Sequence, residues 1–152
     1  MVIGGLITAG SSYLLDERRS NRERQREERD RSIEIKRAAR MIAADFSIAH
    51  VCASTACENN RYWDSTDAPL KLKSWDDYGA ILAPAVSSDT WLKMRLGIVA
   101  IRELNNFREL EASVAVGQPG PLKVSSQLKP GMETAINLIS DAQEALVPVC
   151  YE

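Results

Sequence analysis

Histidine occurs once in this chain, phenylalanine twice and cysteine three times, and no glycine or proline falls between Ser11 and Asn59. Each scarcity excludes something. Three cysteines, Cys52, Cys57 and Cys150, are an odd number at no framework spacing, which argues against a disulfide-built secreted domain and for a reducing compartment. A single histidine leaves little for a metal site. On a helix, His50, Cys52 and Cys57 point about 200° and 140° apart and lack a fourth ligand, so they do not converge on one zinc ion. The same geometry denies Cys52 a histidine partner for nucleophilic catalysis.

Period-two alternation is also missing. Its longest trace is Leu122 to Val124, too short for a strand, and no internal repeat is present. Nor does the chain hold a phosphate loop, a GxSxG elbow, an HExxH pair or a dinucleotide fingerprint. Acids cluster at Asp64 and Asp67 in a loop and at Asp76 and Asp77 after it, and the last two, in the first turn of a helix, are better explained by capping than by acid and base work. No catalytic, cofactor-binding or metal-ligating residue is therefore expected, and the chain reads as something other than an enzyme.

What is present is concentrated at the start. An apolar run, VIGGLITAGSSYLL, passes directly into DERRSNRERQREERDR, from Asp16 to Arg31. Val2 to Leu15 makes about 21 Å of helix against a hydrocarbon core of about 30 Å, short for a span and weakened by Thr8, Ser11 and Ser12. A secretory signal would carry positive charge before its apolar core, whereas here the charge follows. The order predicts a single-pass membrane anchor at residues 1–15, with a core helix of a soluble fold as the alternative. Arg18, Arg19 and Arg22 lie just past it, so the positive-inside rule places the rest of the chain in the cytoplasm, with these arginines against anionic lipid head groups. Gly5 and Ala9 stand four apart and offer a low face for helix association in lipid.

No apolar residue occurs between Asp16 and Ser32, so a coiled-coil seam is impossible there. Favourable pairs such as Arg19 with Glu23 are nearly balanced by like-charge pairs such as Arg18 with Arg22. Good intrinsic propensity still predicts a solvated helical stalk over 16–32. The formal net charge of the whole chain is −2, and the acids interleaved with these arginines leave the tract only weakly positive. Nucleic acid is thus an unlikely partner, because phosphate binding needs uncompensated positive charge.

From residue 33 to 152 the patterns predict a small bundle, making the fold all-α with about four helices. Ile35, Ala38, Ala39, Ile42, Phe46, Ala49 and Ala53 recur at helical spacing and continue the first helix to about residue 58. A loop follows to Lys73. Ser74 and Asp77 have capping-box spacing for a short helix ending before Pro84. Ser87, Ser88 and Asp89 offer the next cap, and Trp91, Met94, Ile98, Ile101, Leu104, Phe107 and Leu110 mark a helix expected to be the most buried. Gly117 to Gly131 is expected to connect to a last helix, from Met132 to a stop at Pro148. Trp63, Trp75 and Tyr78 are candidates for a partner surface, with core packing as the plainer role.

RAARMIAADF at 37–46 and SWDDYGAILAPAVSSDTWLKM at 74–94, behind an apolar helix and an Arg-rich stalk, resemble a loose group of small actinobacterial and phage-associated proteins. That resemblance implies a single-pass, all-helical chain and no catalytic residue. The anchor here is shorter than the group's usual one. Function is expected to be that of a membrane-tethered, cytoplasm-facing interaction or scaffold module, partnered by lipid and by protein or a second copy. The alternatives are a soluble oligomeric structural protein of virion type and a small pore-forming membrane protein.

Overall fold

The structure is a computed structural model that describes residues 4–63, 70–116 and 120–151, with side chains from Glu17 onward. It is all-helical, with α1 at Gly4–Asn59, α2 at Lys73–Leu82, α3 at Ser88–Val114 and α4 at Lys129–Tyr151. Two compact units divide it, Met1–Glu34 and Ile35–Glu152. In the first, every described side chain is exposed, as a helix without an apolar stripe must be. The expected anchor at 1–15 is not supported. Among the described residues no helix is long and apolar enough to cross a membrane, because extending the run past Leu15 meets Asp16, Glu17, Arg18 and Arg19 at once.

The second unit holds the core. α1 contributes Ala38, Ala39, Ile42, Phe46, Ala49, Ala53 and Ala56, all buried; of the face that the spacing predicted, Ile35 alone is only half-buried. So many alanines leave little side chain between helices, and the contacts are correspondingly close. Gly97 of α3 lies where an added Cβ would come within 2.6 Å of the Ala142 Cβ and 3.0 Å of the Phe46 ring. α1, α3 and α4 meet at this point. α4 runs antiparallel to α1, since the Arg40 guanidinium donates to the Cys150 carbonyl (3.1 Å), Gln143 donates to the Ser47 hydroxyl (3.0 Å) and Lys129 reaches Asn60 (3.5 Å). α3 is antiparallel to α4 as well, with Gly97 beside Ala142 and Phe107 beside Gly131.

Asn60, at φ 50°, ends α1 by adopting the left-handed conformation that asparagine tolerates. Beyond it the chain pairs briefly with the α3–α4 connection. Tyr62 N–H donates to the Leu122 carbonyl (2.9 Å) and Val124 N–H to that of Asn60 (3.1 Å), around an isolated bridge between Arg61 and Lys123. The weak strand signal at Leu122 to Val124 marks this two-bond ladder rather than a sheet. Chain re-entry at Leu70 is fixed by one side chain, for Asn105 of α3 accepts from the Leu70 N–H (2.8 Å) and donates to its carbonyl (3.1 Å).

Three boundaries differ from expectation. Ser74 does not cap α2 with its own hydroxyl; the helix starts one residue earlier, Ser74 is buried, and its N–H donates to the Asp45 carboxylate of α1 (3.1 Å). A tertiary carboxylate thus does the work assigned to a local one. α4 takes in Pro130 and Gly131, because a proline in the first turn gives up an N–H that has no helical acceptor anyway. At the other end it passes through Pro148 to Tyr151, losing one backbone bond while Arg40 holds the Cys150 carbonyl. The Ser87 cap is as expected, its hydroxyl accepting from Thr90 N–H at 3.1 Å.

Candidate interaction surfaces

The candidate aromatics separate into two groups. Trp75 and Tyr78 lie three apart on α2, half-buried against the core. Trp75 stacks on Trp91 of α3 with centroids 5.0 Å apart and planes at 25°, and Gly79 one turn on leaves room for the indole, 3.4 Å from where its Cβ would stand. This stack fastens α2 to α3. Trp63 is elsewhere, at the end of the bundle where α1 gives way to the 60–63 segment. Tyr62 meets it edge-on at 5.6 Å and the Arg108 guanidinium lies over its ring at 6.0 Å.

At this end the polar accounting is incomplete. Tyr62 OH, Trp63 Nε1 and Arg108 Nε are buried donors with no hydrogen-bond acceptor among the described residues. Each such group carries a desolvation cost of about 1–3 kcal/mol. Burial, and after it the Glu111 carboxylate and Cys57, push the Tyr62 phenol up to about 12. Beside these residues lies an open groove of about 550 Å³ lined by Val51, Cys52, Thr55, Ala56, Asn59, Arg61, Tyr62 and Trp63. The acids Asp64 and Asp67 lie outside the described residues.

Arg18, Arg19 and Arg22 are exposed on α1, and Arg19 donates to Glu23 at 3.2 Å with both side chains largely in solvent, a pair worth little in water. Gly5 and Ala9 are in α1, but their side chains lie outside the described residues. No protein family, no curated protein and no solved structure matches the chain. Its function has to be argued from its own surfaces.

Thiol chemistry finds no support in them. Burial raises the Cys57 thiol, with Glu133 adding to the shift and Lys129 opposing it, and burial raises Cys150 against the lowering effect of Arg40. Raised thiols are poor nucleophiles at neutral pH. Among the described residues no group of three His, Cys, Asp or Glu side chains is arranged to hold a metal ion.

Two apolar stripes are exposed, and the sequence reading missed both. On α3, Leu92, Leu96 and Val99 are exposed, on the helix that was expected to be the most buried. On α1, Met41, Ile48 and Val51 are exposed on the side opposite the buried face. Their spacing was readable. It was hidden because the same helix has a stronger apolar pattern two and three residues out of phase.

Proposed function

We propose that this chain is a helical interaction module without catalytic activity, tethered at the cytoplasmic face of a membrane by residues 1–15 and by the arginines that follow. The observation that carries this reading is the order of surfaces along one continuous helix. An apolar run leads into a segment with every described side chain in solvent, and then into a bundle whose α1 and α3 keep apolar stripes exposed. Soluble monomers rarely leave such stripes uncovered unless a partner uses them.

The tether works by two weak signals added together. A run of about 21 Å buries apolar surface at the edge of the acyl layer, and each of Arg18, Arg19 and Arg22 adds about 1 kcal/mol of attraction to anionic head groups. Flotation of the full chain with phosphatidylserine vesicles tests it. Binding should fall steeply with salt and fall again in the Arg18→Ser, Arg19→Ser, Arg22→Ser variant. A chain that stays at the bottom of the gradient at low salt has no tether.

A further inference from the structure

We infer that the exposed stripe of α1 is an antiparallel self-association seam, and that its occupant is the same stripe of a second copy of this chain. The inference rests on reading the bundle as an interaction module and is independent of the tether.

Positions 41, 44, 48, 51, 55 and 58 are all exposed, and they follow the alternating three and four spacing of a coiled-coil seam: Met41, Ala44, Ile48, Val51, Thr55 and Glu58. Ile48 and Val51, at its centre, are 60% and 63% exposed. Interleaved with them, Ile42, Phe46, Ala49, Ala53 and Ala56 are fully committed to the bundle. α1 therefore carries two apolar seams. The bundle fills one.

Extending the heptad toward the N-terminus selects the direction of pairing. Its next positions are Arg37, Glu34, Asp30, Glu27 and Glu23. Two parallel, in-register copies would set Glu27 against Glu27, Asp30 against Asp30 and Glu23 against Glu23, and like charges facing one another at a seam are repelled. Antiparallel pairing avoids all of these, because it confines the overlap to residues 34 to 58. Met41 then faces Val51 of the other copy, Ala44 faces Ile48, and Arg37 faces Thr55, one turn from Glu58. Glu34 then faces Glu58 of the other copy, and Arg37, one layer in from both, bridges the two carboxylates at each end of the seam.

The shape of the surface agrees. Val51 and Thr55 are also walls of the 550 Å³ groove, which continues the stripe toward Trp63. In the antiparallel register the side chain that arrives there is Met41, flexible and unbranched, the type that fills irregular apolar gaps. With two small residues, Ala44 and Thr55, among its layers the contact belongs at the low end of interface sizes, below about 1,200 Å². A weak dimer follows, with a dissociation constant on the order of micromolar or above.

Sedimentation equilibrium of the full chain over protein concentrations from about 1 µM to about 1 mM decides it. The expected result is a monomer–dimer equilibrium that Ile48→Glu abolishes, with the circular dichroism spectrum unchanged because residue 48 is outside the core. Arg37→Glu, which removes the bridge between the facing Glu34 and Glu58, should weaken the dimer about tenfold, and adding Glu58→Arg should restore it. Within one chain these two residues are about 31 Å apart along α1, so only pairing between copies can produce that rescue. A monomer at every concentration, a dimer indifferent to Ile48→Glu, or an exchange that fails to rescue each overturns the inference. Vesicle flotation of Ile48→Glu keeps the tether separate: its binding should equal that of the parent whichever way sedimentation falls.

Discussion

Two buried residues show how tightly this small core is set. At Gly97 a methyl group would enter the van der Waals space of Ala142 and press on Phe46, and both neighbours sit on other helices. Gly97→Ala gains helix propensity of about 1 kcal/mol, yet overpacking a filled core costs about 1–3 kcal/mol and here forces two helices apart. The variant should therefore be less stable than the parent, seen as a lower urea midpoint with an unchanged slope. A higher midpoint would show that α3 and α4 separate more easily than their packing implies. Tyr62 is buried, and burial pushes its phenol up to about 12, above the ordinary tyrosine value of about 10. The sign follows directly: the native state holds the phenolic proton after the unfolded chain has released it. Tyr62 thus contributes stability that is complete below about pH 10 and lost as pH rises to about 12. Comparing alkaline unfolding of the parent and Tyr62→Phe checks it, since the variant should lose less stability across that window. Raised Cys57 and Cys150 act in the same direction from about pH 9.

Between elements, single polar side chains do what loops and caps usually do. Arg40 holds the Cys150 carbonyl at 3.1 Å and lies 5.9 Å from the Tyr151 ring, placing a cation at the negative end of α4 just past Pro148. Without it the last turn has one backbone bond missing and keeps only the packing of Cys150 to hold it. Arg40→Ala should fray residues 148–151, with hydrogen exchange there accelerating while the Ala38 to Ala56 stretch of α1 stays protected. Equal acceleration throughout would mean that Arg40 supports the whole bundle. These polar ties also explain which parts of the fold were legible. The helices were readable because Ile42, Phe46, Met94, Ile101, Ile139 and Leu146 recur at helical spacing, a local property of the sequence. The start of α2 was not, because the carboxylate that caps Ser74 is Asp45, twenty-nine residues upstream. The last turn of α4 was not, because proline signals a stop and the residue that overrides it is on α1. The exposed α1 stripe was hidden by the rule that a helix shows one apolar face; two seams on one helix look like general hydrophobicity until burial separates them.

For the molecule as a whole, the division at Glu34 and Ile35 has a thermodynamic consequence. Among the described residues every buried one lies after it, the first being Ala38, whereas residues 17–34 are exposed throughout. The hydrophobic term that offsets chain entropy therefore belongs to the second unit alone. What residues 17–34 contribute to their own helix is intrinsic propensity, charge pairs of a few tenths of a kcal/mol, and propagation from a helix already nucleated downstream. A fragment beginning at Ile35 should fold by itself, with a melting temperature within about 5 °C of the full chain's, the deficit reflecting the new helix end and its unpaired N–H groups. The urea slope should be nearly the same, since it scales with the surface exposed in the cooperative transition and the solvated segment exposes little more on melting. Helical ellipticity per molecule should drop by the share that residues 17–34 carry, and in the full chain that segment should exchange its amide protons at far lower protection than residues 38–56. If instead the fragment is unfolded, or its melting temperature falls by several times that margin, the charged helix supports the bundle through contacts that its exposure does not reveal.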